Sequence, residues 1–263
     1  MRTLTLFILL IGLVGTLSAQ TPAVNVHQEI KDGQLVLWVK SNLPCHSQVF
    51  AEAQSVDQRF QLSLPKNSER LLAKLPIDSI QSASNFKDQL QYNFILGNMN
   101  ALPDPKYHYM LPYPPGKSHR LIQGNHGQHT HNTPGSEYAF DFEMDEGSYV
   151  SAARGGVVGF VKEDNKEGGD NKQLMNKVNL IMVCHDDGTV AIYAHLKYQG
   201  ALVDIGEKVF PGQVIGFSGN TGYTTGPHLH FSVMVGDRSV PIKFRNLPDS
   251  LVEGRKYEQN FDY

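Results

Sequence analysis

Residues 226–235, which read Gly-Pro-His-Leu-His-Phe-Ser-Val-Met-Val, constrain the fold of this chain most strongly. Successive side chains of a β-strand point to opposite faces, so Leu229 and Phe231 are predicted to enter a core while His228 and His230 share the other face. An isolated His-x-His pair is more often hydrogen-bonded at a surface. Two imidazoles on one open face also suit metal binding, or one metal ligand beside an acid–base group.

Short runs of alternating apolar residues recur along the chain and predict an all-β fold. Between about residues 24 and 96 they are separated by turn signals such as Asp32-Gly33, a pattern typical of a small β-sandwich, and no catalytic cluster is found there. Further runs follow in the second half, where Asp186-Asp187-Gly188 predicts a hairpin. Few segments have the periodicity of long helices.

Three segments are predicted along the chain. Residues 1–19 combine one positive charge, a short apolar run and a small residue at Ala19, which is typical of a secretory signal peptide. Residues 103–117 contain five prolines and predict a stiff linker, so we place a β-sandwich domain at 20–110 and a second β domain at 111–263. Residues 163–177 are charged and non-periodic, and are expected to form a surface loop.

Charge and cysteine content narrow the choice of partners and compartment. The net charge of −3, without a basic cluster, argues against nucleic acid as a partner. The early apolar run is short for a membrane span, with a retained anchor as the weaker alternative, and no later stretch could span a bilayer. We therefore expect an exported monomer of the periplasm or cell envelope, without stable membrane insertion after cleavage.

Export permits a disulfide, but free thiols at Cys45 and Cys184, with Cys184 buried, are favoured.

Histidines and one carboxylate form a candidate metal site. The loop 124–131 contains His126, His129 and His131, and Asp141 follows in an alternating strand. Two imidazoles and one carboxylate, from His131, Asp141 and His230, leave a fourth tetrahedral position on Zn²⁺ for water. That arrangement is typical of catalytic rather than structural zinc sites.

Two further histidines are candidates for proton transfer. His195 is predicted to lie on the second strand of the hairpin, where it shares a face with Tyr193, and a single histidine there would usually be structural. Together with His228 it could exchange protons with a zinc-bound water. The chain has no His-Glu-x-x-His motif, so histidines must do this work if the protein is a hydrolase.

Ordered motifs between residues 138 and 240 carry a specific resemblance. They are Tyr-Ala-Phe-Asp-Phe (138–142), Val-Ser-Ala-Ala-Arg-Gly-Gly-Val-Val (150–158), Tyr-Ala-His-Leu (193–196), the segment 206–216, Ser-Gly-Asn-Thr-Gly (218–222) and Gly-Pro-His-Leu-His-Phe (226–231). In order and spacing they resemble the lysostaphin-like (LytM-like) zinc metallopeptidases, which cut peptide bonds in peptidoglycan. The resemblance does not extend to residues 20–110.

The resemblance implies roles for individual residues. It implies Zn²⁺ held by His131, Asp141 and His230, with His195 and His228 activating the water and stabilising the tetrahedral intermediate. It also implies an antiparallel β-sheet with an open groove walled by loops, and peptidoglycan stem peptides as substrate.

One position departs from the family pattern. Many members have the first histidine four residues before the aspartate, where this chain has Glu137. Thr130-His131 fits a subgroup with a longer insert, while His129 and His126 remain alternatives and Glu137 is an outside candidate.

Two other functions compete with this interpretation. Segment 206–216 is also similar to lipoyl and biotinyl carrier domains, but no lysine-bearing turn accompanies it. Some relatives have lost ligands and act as cell-envelope scaffolds or activators, whereas all three ligand types are present here. By analogy alone, direct D-Ala to diaminopimelate cross-links are favoured over glycine bridges as the cleaved bond.

Overall fold

The computed structural model describes residues 24–53, 58–80 and 83–260, and in these ranges the protein is built almost entirely of short β-strands. The predicted all-β fold is confirmed. Among the residues described, no helix has the length and apolar character needed to cross a membrane. The predicted signal peptide lies outside these ranges.

The strands fall into an N-terminal and a C-terminal set. The first set is β1 (Val24–Lys31), β2 (Gln34–Ser41), β3 (Ser47–Ala53), β4 (Gln58–Leu64), β5 (Glu69–Pro76) and β6 (Leu90–Leu96). The second set is β7 (His108–Tyr109), β8 (Ser118–Gln123), β9 (Phe140–Glu143), β10 (Tyr149–Ser151), β11 (Gly156–Lys162), β12 (Gly168–Gly169), β13 (Leu180–Cys184), β14 (Val190–Ala194), β15 (Leu196–Ala201), β16 (Lys208–Val209), β17 (Val214–Ser218), β18 (Gly222–Tyr223), β19 (His228–Val235), β20 (Arg238–Ser239), β21 (Lys243–Phe244) and β22 (Lys256–Glu258). Short 3₁₀ turns are Ile77–Ser79, Ala83–Gln89 and Lys172–Lys177.

The N-terminal strands form the predicted sandwich of two three-stranded sheets, in the orders β1-β2-β5 and β4-β3-β6. Val24 and Val39 of the first sheet share one core with Val49 and Leu64 of the second. The predicted turn at Asp32-Gly33 is present: both residues have positive φ, 51° and 71°, as a type I′ hairpin requires.

The C-terminal strands form a large antiparallel sheet in the order β16-β11-β13-β14-β19-β9-β8-β22, with β20 beside β19. The predicted hairpin joins β13 to β14. One face of the sheet, including Phe142, Tyr193, Leu229 and Phe231, packs on the small sheet β10-β17-β15, and these fully buried side chains are part of the main core. Burial of each such side chain contributes roughly 1.5–3 kcal/mol.

The proline-rich stretch is part of this core, so the prediction of a stiff linker over 103–117 is wrong. Tyr109, Leu111 and Tyr113 are buried in the C-terminal core, and the Tyr113 hydroxyl donates to the Tyr257 carbonyl at 2.7 Å. Burying the apolar side chains that alternate with the prolines is more favourable than leaving them exposed to water in an extended linker. The domain boundary near residue 110 stays a prediction.

The two cysteines are joined as a disulfide, so the prediction of free thiols is wrong, although Cys184 is buried as expected. The N-terminal sandwich packs against the large sheet, and one core includes Cys45 and Leu96 from the sandwich with Cys184 and Val190 from the sheet. This packing brings together two sulfurs that are 139 residues apart in the sequence, and a separation of that length gives no indication of the contact.

The predicted loop 163–177 is largely exposed but is held by backbone pairing. Its strand β12 runs parallel to β18, and the Gly222 amide donates to the Glu167 carbonyl at 2.8 Å. A side chain at Gly168 would meet the Asn220 carbonyl oxygen, so only glycine permits this approach. The loop is therefore fastened beside the segment that leads into β19.

Candidate metal centre

Three elements bring the predicted ligands together on the face of the large sheet opposite the main core. Asp141 on β9 lies directly opposite His230 on β19, so both side chains leave the same face of adjacent strands. Gln123 at the end of β8 lies opposite Asp141 on its other side. The loop that follows Gln123 carries His131 back to this point.

Donor atoms of His131, Asp141 and His230 all lie within 4.8 Å of one another. His230 Nδ1 is 2.9 Å from Asp141 Oδ1, and His131 Nε2 is 3.2 Å from Asp141 Oδ2. His131 is fully buried, and its Nε2 has no partner with hydrogen-bond geometry among the described residues. A buried, unsatisfied nitrogen facing a carboxylate is a costly arrangement that a cation between them would satisfy.

The protonation states of the cluster are set by burial and by mutual contact. Burial alone would raise the pKa of Asp141, but the close contacts with His131 and His230 outweigh it and hold the pKa well below its usual range. For His131, burial lowers the pKa, but the adjacent Asp141 carboxylate more than reverses this effect and raises the pKa. The carboxylate is therefore ionised and surrounded by groups that stabilise its charge.

The tautomer of His131 is fixed by the backbone. His131 Nδ1 is 2.8 Å from the Gly124 carbonyl, which can only accept a hydrogen bond, so Nδ1 donates. The lone pair is then on Nε2, the atom that faces Asp141. A carbonyl that orients a ligating imidazole in this way is a common support of metal sites.

Gln123 is a buried residue of the candidate site that sequence reasoning missed. Its side-chain amide donates to Asp141 Oδ2 at 2.9 Å and to Thr130 Oγ1 at 2.6 Å, and its oxygen accepts from the amides of His129 and Thr130. One buried side chain therefore fastens the histidine loop to the carboxylate. The role of Gln123 can be recognised only from the pairing of β8 with β9, because the local sequence around this glutamine contains no recognisable motif.

His195 and His228 lie beside the cluster. Their ring centroids are 4.4 Å apart, and His228 Nε2 is 3.9 Å from Asp141 Oδ1. Nδ1 of His195 donates to the Thr221 carbonyl at 2.7 Å, and Nδ1 of His228 donates to the Gly226 carbonyl at 2.8 Å. With Nδ1 engaged in this way in both rings, Nε2 is the nitrogen left to exchange a proton.

The predicted face of His195 is wrong in one respect. Alternation placed it with Tyr193, but Tyr193 is buried in the core, where its hydroxyl accepts from the Ala153 amide at 2.8 Å. His195 lies between β14 and β15 with φ of 63°, a left-handed conformation that turns its side chain towards His228 instead. Burial, followed by the charges of His228 and His230, lowers the pKa of His195 to about 3.

The alternative ligands lie away from the cluster. The His126 ring packs edge-on against Tyr138 at 4.9 Å and is exposed, and His129 is also exposed. Glu137 contributes its backbone carbonyl, which accepts from the His126 amide at 2.6 Å. Of the four sequence candidates for the first ligand, the structure brings His131 to Asp141 and His230.

Comparison with known proteins identifies relatives of the C-terminal part. The model of peptidase family M23 matches residues 135–242. The peptidoglycan DD-endopeptidase ShyA of Vibrio cholerae is 36% identical over 41% of this chain and 22% of its own length, and lysostaphin of Staphylococcus simulans is 40% identical over 40% and 19%. The chain thus matches about a fifth of the length of these relatives. The solved catalytic domain of lysostaphin aligns over 49% of this chain and 81% of its own, with 33% identity and a TM-score of 0.30.

Proposed function

Because the model of peptidase family M23 matches residues 135–242 of this chain, we propose that it is a zinc-dependent endopeptidase that hydrolyses peptide bonds in peptidoglycan cross-links. The observation that carries the proposal is the convergence of His131, Asp141 and His230 with two more imidazoles at their side. Sequence similarity alone would not distinguish an enzyme from a relative that has lost its ligands. A complete set of donors with two adjacent proton acceptors favours the enzyme.

The donor set fits zinc. His131, Asp141 and His230 would hold the ion as two nitrogens and one oxygen, the number and kind of protein ligands found in catalytic zinc sites. The unsatisfied Nε2 of His131 is accounted for by such an ion. When bound, zinc supplies Lewis acidity, which acidifies water and polarises a carbonyl.

The remaining two histidines would move the proton. Both rings are fixed through Nδ1, so Nε2 of His195 or His228 accepts the proton of the attacking water. The imidazolium so formed then faces the negative charge that develops on the carbonyl oxygen, and returns the proton to the leaving amine. The lowered pKa of His195 keeps its ring neutral in the resting site, so that its Nε2 lone pair is available to a proton.

The groove beside these histidines is the proposed place for the stem peptide. The loop 163–177 pairs with β18, next to Thr221, whose carbonyl orients His195. We propose that this loop forms one wall of the groove. ShyA is named a DD-endopeptidase and ALE-1 of Staphylococcus capitis a glycyl-glycine endopeptidase, so the relatives include endopeptidases named for two different kinds of peptide bond. Direct cross-links between stem peptides remain our favoured substrate, with the protein acting as a monomer in the periplasm or envelope.

Metal content and turnover measured together test this function. The purified protein should contain one zinc per chain, solubilise purified peptidoglycan, and lose and regain activity with a chelator and added zinc. Mass analysis of the released muropeptides identifies the bond. Stoichiometric zinc without release of any muropeptide would reject the enzyme and favour the envelope scaffold or activator.

A further inference from the structure

The outer face of the sheet β1-β2-β5 carries an aromatic side chain with polar neighbours. Trp38, the single tryptophan of the chain, is partly exposed, while Leu37 and Val39 on either side of it are fully buried. It therefore points away from the sandwich core. His27 lies directly opposite on β1 and Leu71 on β5, so Trp38 occupies the middle of a three-strand surface.

A depression of about 390 Å³ lies on this face, lined by His27, Glu29, Trp38 and Glu69. Its size falls within the roughly 300–1,000 Å³ of small-ligand sites. The indole Nε1 donates to Glu29 Oε1 at 3.4 Å, and His27 Nε2 is 3.0 Å from Glu69 Oε1. Each carboxylate is thus oriented by a neighbour, and each retains further acceptor positions for a ligand.

This combination suits a ligand with an apolar face and hydroxyl or amide donors at its edge. Indole offers a flat apolar surface with a polar rim, and the two carboxylates accept hydrogen bonds beside it. A sugar ring presents C–H groups on its face and hydroxyls around it. A lone ammonium group would need a narrower site, and Lys40, opposite Glu69, reduces the local negative charge.

We propose that this depression binds one or two sugar rings of a glycan chain. The site is on the sandwich, which contributes no residue to the metal cluster but is joined to the large sheet by the Cys45–Cys184 disulfide. It would hold the protein on a polysaccharide while the groove acts on attached peptides. That consequence rests on the proposed function, whereas sugar binding itself does not.

The single tryptophan makes binding directly measurable. The purified protein, kept with a chelator to prevent turnover, is titrated with a soluble tetramer of N-acetylglucosamine while its intrinsic fluorescence is followed. We expect a saturable change. Glu29→Gln and Glu69→Gln should each weaken binding about ten-fold, because each replaces a charged acceptor by a weaker neutral one. Glu52→Gln is the matched control: Glu52 is as exposed as Glu69, 44% for each side chain, but lies on the other sheet.

Further measurements test the proposal and separate it from the peptidase function. Trp38→Leu should sediment less with peptide-free glycan strands than the parent protein does, with circular dichroism showing an unchanged fold. A fluorescence change with a lysine amide but none with the sugar would overturn the proposal in favour of an amine site. No response to sugar, together with unchanged sedimentation of Trp38→Leu, would overturn it too. Cleavage of small soluble muropeptides by Glu69→Gln at the parent rate would show that the peptidase activity does not depend on the proposed sugar site.

Discussion

Replacing Gln123 by alanine tests how the metal cluster is held together. The substitution removes four hydrogen bonds at once, one of them to the ionised Asp141 and three to His129 and Thr130. The fold of the sheet should survive, because Gln123 is at the end of β8 and the main core lies on the opposite face. What should change is the path of the loop that delivers His131.

The size of the effect follows from the partners that remain. Loss of a hydrogen bond to a buried carboxylate costs about 1.5–3 kcal/mol, whereas the exposed loop amides can turn to water at little cost. We therefore expect the free energy of unfolding to fall by about 2 kcal/mol. Zinc affinity should fall about 10- to 100-fold, the usual effect of removing a group that orients a metal ligand.

Zinc affinity measured by competition with a chromophoric chelator, and unfolding by urea, give the two quantities. Gln128→Ala is the matched control, because it removes an exposed glutamine from the same loop. If Gln123→Ala binds zinc and unfolds like the Gln128→Ala protein, the side chain does not organise the site and our account of the loop is wrong.

The remaining predictions concern other parts of the molecule. Burial lowers the pKa of His185 to about 4, so as the pH drops this histidine is protonated in the unfolded chain before it is protonated in the folded protein, and stability falls. Between pH 7 and 5 the free energy of unfolding, measured in urea, should fall by about 2 kcal/mol from this group, and a His185→Asn protein should lose less. His195→Ala should lower turnover of peptidoglycan by about 10²–10⁴-fold with zinc content unchanged, and full activity would refute its role. Deleting the 3₁₀ turn Lys172–Lys177, which leaves β12 paired with β18, should alter KM more than the melting temperature; a large drop in melting temperature with unchanged kinetics would contradict a groove wall.

Strand alternation predicted much of the site because it is a local property. The faces of Asp141, His228 and His230 follow from the period of two along β9 and β19. The same rule failed at His195, since one residue with positive φ ends the alternation, and a non-glycine residue gives no sequence signal for that conformation.

Long-range packing explains the other differences. The disulfide depends on how the sandwich meets the large sheet, and the burial of Tyr113 depends on β22, more than 140 residues further along the chain. Gln123 is recognisable only when β8 is placed beside β9. Each of these features is a contact between segments distant in sequence, for which pattern and composition carry no information.

Zinc stoichiometry in two histidine variants tests the central claim most directly. His131→Ala removes the buried nitrogen that faces Asp141, while His129→Ala removes an exposed imidazole two residues earlier in the same loop. We predict that the first protein contains no stoichiometric zinc and does not degrade peptidoglycan, and that the second keeps both properties. Zinc retained at one per chain in His131→Ala, with zinc lost in His129→Ala, would contradict the assignment of the metal centre.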